Sequence, residues 1–420
     1  MKHIVIIGGG VSGMTAAITA AEHGPSARIT ILEHKAELGK KILVTGNGRC
    51  NLTNHRMTEA CYRSEDPRWI KHLTERFRWQ DTVRFFEDLG LPVRDRDGYV
   101  YPRSNQASSV RRILVRRLKE LQVQVILGAH VSGVIPVAGG FEVWFSTGGV
   151  RKKCSASRVI LSSGGKAAPV QGSDGSGYSI ARSFGHTIVP VVPALVQLKI
   201  ENHPLAKAAG VRTEAKVAVT IDGKEAAQDT GELQITSYGL SGIPVFQVSR
   251  YAARGLLEQK KVAVQLDLVP EMSENQLRLF FRQRQQHLGS ICQSLTLEDY
   301  LCGIFPDKLI IPVLKQAKLS GRIRVPDLEH GQMDLLVSAC KNISLSVEDT
   351  NGFENAQVCA GGVSTGEILP ATMESCLQPG LFLAGEVLDV DGICGGYNIH
   401  HAVISGMIAG KSASEEERRS

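Results

Sequence analysis

The stretch IVIIGGGVSGMTAAITAAEHGPSARITILE, residues 4–33, decides the fold. Ile4 to Ile7 is a short β-branched run, as expected of a strand buried on both faces. Gly8-x-Gly10-x-x-Gly13 follows at once, and Met14 to His23 is Ala-rich and helix-permissive until Gly24-Pro25 stops it. A second strand, Arg28 to Leu32, ends at Glu33, 20 residues after Gly13. Strand, glycines, helix, strand and acid in this order are a dinucleotide fingerprint with its context intact. Gly8 permits the tight turn, Gly10 lets backbone approach a pyrophosphate, and Gly13 lets the helix pack against the strand. Val11 and Ser12 open that helix, where free N–H groups and the positive dipole end face the phosphates. Glu33 can accept from both hydroxyls of an adenosine ribose, and its charge would repel a 2′-phosphate. NAD and FAD both fit this motif.

Composition sets the frame around it. At about 150 residues per domain, 420 residues make two or three domains. Hydrophobic residues at 43% and charged residues at 21% fit a globular protein and argue against disorder. Mean hydropathy is −0.05, and no 18-residue stretch is purely large and apolar, so a membrane bundle is not expected. The glycines of residues 8–13 also interrupt what could pass for a signal-peptide core after Met1-Lys2-His3. Nine scattered cysteines without a C-x-x-C pair signal neither a zinc ribbon nor a disulfide scaffold, and reduced thiols in a cytoplasmic protein are expected. The charge of +6 is mild and establishes no nucleic-acid partner.

Leu38 to Asn54 is a polar glycine loop with Lys40, Lys41, Arg49, Asn47, Asn51 and Asn54. Gly46 and Gly48 remove side-chain obstruction, so the loop can wrap a large polar cofactor closely. Near the other end of the chain, Gly380 to Val387 reads as a third buried strand ending in Gly385-Glu386. A carboxylate there can accept from a ribityl hydroxyl. NAD has no ribityl chain, so this second acid favours FAD. The segment from Asp389 to Asn398 then leads, through Gly395-Gly396, into an apolar helical run from Ile399 to Ala409. That helix N-terminus would come close to the cofactor and stabilise negative charge on a reduced flavin ring.

The segment GRCNLTN, residues 48–54, resembles a signature of the BaiN and aminoacetone-oxidase type of bacterial FAD-binding flavoproteins, within the glutathione-reductase-like FAD superfamily. Tyr101 to Val110, Leu161 to Gly165, Gly172 to Tyr178, Thr236 to Gly242, Ala360 to Val363, Thr372 to Ser375 and Gly380 to Gly406 are similar to further elements of that family. Cys359, Ser162-Ser163, Tyr238, Ile243 and Asn398-Ile-His-His401 depart from its usual residues. The resemblance implies an α/β fold. A Rossmann-like FAD domain over 1–190 and 340–420 would be split by a β-barrel insert over 191–268 and 325–339, and the insert would carry a helical subdomain over 269–324. It implies FAD contacts from the fingerprint residues, from Lys40, Lys41, Thr45, Gly46, Gly48, Arg49, Cys50 and Asn51 of the loop, and from Val131 and Gly164. On the C-terminal side it implies contacts from Gly385, Glu386, Asp391, Gly395, Gly396, Tyr397 and Asn398. By analogy, substrate would bind between insert and flavin.

The insert has its own pattern. Short alternating strands such as Lys216 to Ile221 and Val262 to Leu266 read as a small barrel or sandwich, followed by helical stretches over Glu274 to His287 and Cys292 to Leu319. Residues 91–120 hold eight Lys/Arg against three Asp/Glu, read as a solvated basic face because Val110, Ile113, Leu114, Leu118 and Leu121 form the opposite, apolar one. Lys411 to Ser420 reads as a disordered polar end.

No single group is assigned as acid or base. His400, His401, Cys394 and Cys50 are the candidates, with helix packing favoured for the histidines and plain burial for the cysteines. The expected activity is flavin-dependent oxidoreduction of a small molecule, with NADH or NADPH as transient reductant because no second fingerprint is present. Reduction of an activated C=C bond is favoured over oxidation of a small amine by O₂. An RNA-linked flavoprotein stands third, and no nucleic-acid, membrane or metal partner is expected.

Overall fold

The β-branched run at the N-terminus does form the middle of a parallel sheet. The computed structural model describes residues 2–415 and places His3–Ile7 between Arg158–Leu161 and Arg28–Glu33. Leu381–Leu383 and Gln124–Leu127 extend the sheet at either side, all strands running parallel. Ile4, Val5 and Ile6 are wholly buried, which is why this strand shows no alternation. Two helices, Val11–His23 and Tyr397–Ser414, lie side by side. They approach so closely that a Cβ on Gly406 or Gly410 would sit 2.5 or 2.2 Å from the carbonyl oxygens of Ser12 or Ala16. The chain ends thus share one core, as the split-domain reading expects. A three-stranded meander (His130–Val137, Gly140–Thr147, Val150–Ala156) and a small three-stranded ribbon (Thr53–Asn54, Tyr99–Pro102, Val93–Arg96) also belong to this first unit. It comprises Met1–Val192 and Gln357–Ser420.

The second unit, Pro193–Ala356, contains a closed six-stranded antiparallel barrel. The barrel runs Leu198–Ile200, Gly239–Gly242, Lys224–Ile235, Arg212–Ile221, Val262–Asp267 and Ile343–Thr350 around its circumference. A helix, Ile243–Leu257, and four more, Glu274–Ile291, Leu297–Leu301, Asp307–Gln316 and His330–Lys341, accompany it. Leu277, Phe281, Tyr300, Leu309 and Leu336 pack together with the barrel residues in a single core.

Three boundaries read from the sequence are corrected. Residues 325–339, expected in the barrel, form a short turn and most of helix His330–Lys341; Met333, Leu336, Val337 and Cys340 are buried at helical spacing. The strand Ile343–Thr350, expected in the first unit, closes the barrel by pairing with both Leu198–Ile200 and Val262–Asp267. Its alternating burial is that of a barrel wall, so the chain returns to the first unit at Gln357 rather than 340. At the C-terminus, helix persists through Ser414 because Ala413 and Ser414 are buried; residues 416–420 lie outside the described residues.

Candidate cofactor site

The fingerprint turn leaves a helix end open. Gly8 has φ +103°, and a Cβ there would lie 2.5 Å from the Ser162 carbonyl oxygen. A Cβ on Gly13 would lie 1.9 Å from the Gly8 carbonyl oxygen, so turn and helix touch through glycine alone. Gly10 is the opposite case: a Cβ there meets nothing within 4 Å. That free volume adjoins the N-terminus of Val11–His23, which no side chain caps. Uncapped N–H groups beside empty space suit a pyrophosphate.

Glu33 is held at the end of its strand. Its Oε2 accepts from the Gly9 N–H at 2.7 Å and its Oε1 from the Lys35 N–H at 2.7 Å. The Ala129 N–H donates to the Glu33 carbonyl, which brings the segment leading to Val131 alongside the acid. His34 and His130 stand there with ring centroids 5.2 Å apart. Burial holds the His34 imidazole below its ordinary value, against the opposing charges of Glu33 and Asp174. Gly9, His34 and His130 were not singled out in the sequence; only their closeness to Glu33 and Val131 could have flagged them.

The loop after the second strand is wound by unusual backbone. Gly46, Asn47, Gly48 and Cys50 all have positive φ, between 53° and 81°. Asn47 and Cys50 hold this conformation at a cost of order 1 kcal/mol each. Cys50 is wholly buried, and burial pushes its thiol up to about 11, so it is neutral and serves as packing. The Asn51 Oδ1 is buried without a partner and lies 2.6 Å from the position of a Cβ on Gly396. Lys41 reaches back across the site to Glu386, Nζ to Oε2 2.7 Å, while the Glu386 Oε1 accepts from the Cys359 N–H.

Gly164 has φ +75°. Beside it, a Cβ on Gly165 would stand 3.2 Å from each of Cys359 Sγ, Glu386 Oε1 and Tyr178 OH. The Tyr178 hydroxyl is buried without a hydrogen bond, and burial, then Cys359, Glu386 and Asp389, push it upward. Gly385 touches the first helix, since its Cβ would fall 2.5 Å from Ser12 Oγ, and its N–H donates to Ser405.

The second helix N-terminus, at Gly396, is also uncapped. Asn54 fixes it by donating to the Gly395 carbonyl at 3.1 Å. Asp391 is buried and pairs in register with Arg63. The Tyr397 hydroxyl donates to the Arg56 carbonyl, and that of Tyr62 to the Tyr397 carbonyl. The Asn398 side chain clasps Gly392, accepting from its N–H at 2.8 Å and donating to its carbonyl at 2.9 Å.

The histidine pair that follows points into the core. His400 Nδ1 lies 2.8 Å from Thr82 Oγ1 and 3.2 Å from Thr53 Oγ1; burial, then His401, lower its imidazole to about 3. His401 stands edge-on to Trp69, has no hydrogen bond to either nitrogen, and is lowered to about 4, chiefly by burial. Both are neutral packing residues. None of the nine cysteines forms a disulfide, so Cys50 and Cys394 are not bridged.

Two uncapped helix N-termini, a ribose-side acid, an unpartnered amide oxygen and an unpartnered hydroxyl fit FAD, and they define an FAD-binding oxidoreductase of the Rossmann type. The chain belongs to the HI0933-like family, whose Rossmann-domain profile matches residues 2–412. It is 50% identical over 415 residues, 99% of this chain and 100% of the relative, to the 3-dehydro-bile acid delta(4,6)-reductase of Clostridium scindens. It is 28% identical to the ribosomal RNA dihydrouridine synthase of Escherichia coli, over 95% of this chain and 94% of that protein. Among solved structures, 3-ketosteroid-delta4-(5alpha)-dehydrogenase from Rhodococcus jostii RHA1 shares the fold at TM-score 0.50 and 14% identity, covering 99% of this chain and 97% of that one. The chain is therefore an FAD-dependent oxidoreductase. No helix among the described residues is long and apolar enough to cross a membrane.

Proposed function

We propose that this enzyme uses NADH or NADPH to reduce a carbon–carbon double bond conjugated to a carbonyl in a small organic substrate of the steroid type. The observation that carries this reading is the 50% identity, over 99% of the chain, to a reductase named for bile-acid double bonds. Bound at the site described above, FAD supplies hydride acceptance and donation. The chain's own groups bind and tune. The helix end at Gly10–Gly13 takes the pyrophosphate and Glu33 the ribose. The helix end at Gly396 places its positive dipole where a reduced ring carries negative charge. Lys41 and Glu386 hold the ribityl side together.

A second reading, reduction of a uracil ring in RNA, draws on the relative named as a ribosomal RNA dihydrouridine synthase. A uracil C5=C6 bond is also conjugated to a carbonyl, so the two readings share one reaction class and differ in what is docked.

Anaerobic stopped-flow mixing with NADH and NADPH, followed by an acceptor panel, separates them. The expected result is bleaching of the flavin by at least one nucleotide and reoxidation by a 3-keto-4-ene steroid. Reoxidation by uridine-containing RNA alone would favour the second reading. Bleaching by aminoacetone and by neither nucleotide would overturn both in favour of an amine oxidase.

A further inference from the structure

The basic window of residues 91–120 divides into two parts. On the helix Ala107–Glu120, Arg111, Arg116 and Arg117 are paired with Glu37, Glu120 and Glu22. The ribbon before it is different. Its register sets Arg94 opposite Tyr101 and Arg96 opposite Tyr99. Directly opposed residues of an antiparallel pair share a face, so two arginines and two tyrosines form one surface. Asp95 and Val100, also opposed, take the other face; Val100 is buried and Asp95 turns to His55.

This Arg/Tyr face lacks its counter-charge. Among the described residues neither Arg94 nor Arg96 has an ion pair, and the Arg94 Nε is buried with no hydrogen-bond partner. Arg49, Arg96 and Arg94 all act on the Tyr101 hydroxyl, opposing the upward push of burial and Tyr99. A guanidinium N–H withdrawn from water without a partner is costly, and an anionic ligand would relieve that cost. The face also lies against the flavin end of the site, because the Tyr99 ring comes within 3.0 Å of where a Cβ on Gly395 would be.

We propose that Arg94, Arg96, Tyr99 and Tyr101 form the docking face for the phosphates of the pyridine nucleotide that reduces the flavin. Guanidinium groups grip phosphate bidentately, and the tyrosine rings offer a surface on which a planar ring stacks. A dinucleotide matches the charge: two arginines for the two charges of a pyrophosphate, where a bile-acid carboxylate carries one. It also matches the extent, since two cross-strand pairs span a nucleotide and not the stripe an RNA backbone would need. The inference rests on the nucleotide-dependent reading above.

The test uses holoenzyme, wild type against Arg94→Gln, Arg96→Gln, the double variant and Arg94→Lys. Anaerobic reduction is followed at varied NADH and NADPH. The expected result is an apparent Kd for the nucleotide raised about 10-fold in each Gln variant and further in the double, with Arg94→Lys intermediate. The limiting reduction rate, flavin content and dithionite-fed turnover of acceptor stay at wild-type values. Inorganic pyrophosphate and 2′,5′-ADP compete with the nucleotide in wild type only. If wild type is bleached and the double variant keeps its Kd, this proposal fails alone. A shift confined to the steroid KM or to RNA binding also overturns it. If neither nucleotide bleaches wild type, the nucleotide reading fails and carries this proposal with it.

Discussion

The ammonium of Lys41 lies 2.7 Å from the carboxylate of Glu386, joining residues 345 positions apart in sequence. Lys41 belongs to the glycine loop after the second strand, and Glu386 follows the last strand of the parallel sheet. The ion pair therefore ties the N-terminal part of the cofactor site to the C-terminal part. Its partners are about a fifth to a quarter exposed, so it lies between a solvated pair and a buried one. Glu386 has a second anchor in the Cys359 N–H, whereas Lys41 has no other hydrogen bond or ion pair among the described residues.

That asymmetry gives the first prediction. Lys41→Met is expected to lower unfolding free energy by about 1–2 kcal/mol and to weaken FAD retention, because it leaves a half-buried carboxylate unpaired. Glu386→Gln keeps an acceptor for the Cys359 N–H and is expected to cost less. Urea unfolding of apoprotein and FAD titration check both; equal losses would refute the asymmetry between the two partners.

The fingerprint glycines separate folding from binding. Gly13→Ala places a Cβ 1.9 Å from a carbonyl oxygen and is expected to destabilise the apoprotein by about 3 kcal/mol. Gly10→Ala places its Cβ in open space, at φ −73° and ψ −169°, which alanine adopts freely. Its apoprotein is expected to melt like wild type, while its Kd for FAD rises about 100-fold as the methyl displaces the pyrophosphate from the N–H groups. Wild-type FAD affinity in Gly10→Ala would refute the phosphate assignment.

Much of this site was legible because its signals are local. Gly8, Gly10, Gly13 and Glu33 lie within 26 residues, and each is dictated by one strand–helix–strand unit. Gly395 and Gly396 announced a second helix end in the same way. Other features need distant chain. Nothing near Asn398 says that its amide will clasp Gly392, and nothing near Arg94 says that it will lack an acid. Ile343–Thr350 alternates like any half-buried strand; only closure of the barrel assigns it to the second unit. Sequence favoured packing for His400 and His401 only slightly over chemistry, and their burial agrees with packing.

The histidine pair sets a pH dependence of stability. Folding lowers His400 to about 3 and His401 to about 4, from an ordinary 6.5. Below pH 6.5 the unfolded chain binds protons that the folded chain refuses, so stability is full above that pH and falls as pH drops toward 4. Each histidine contributes up to about 1.4 kcal/mol per pH unit in that window. His401→Phe is expected to reduce the slope of unfolding free energy between pH 6 and 4.5 by about one proton. An unchanged slope would show that His401 titrates normally in the folded state.

The cysteines give a last, chemical, test of what the site does not use. Cys50, Cys61, Cys340 and Cys359 are buried, and burial pushes Cys50 up to about 11 and both Cys340 and Cys359 to about 12. Cys292 is different, its thiol lowered by a hydrogen bond with Ser294, and Cys302 and Cys376 are exposed. The thiolate is the reactive form, so iodoacetamide on native holoenzyme is expected to label Cys292 first, then Cys302 and Cys376, with Cys50 and Cys359 protected until urea unfolds the chain. Peptide mapping against time gives the order. Early labelling of Cys50, accompanied by loss of flavin, would instead make it a reactive thiol of the cofactor site.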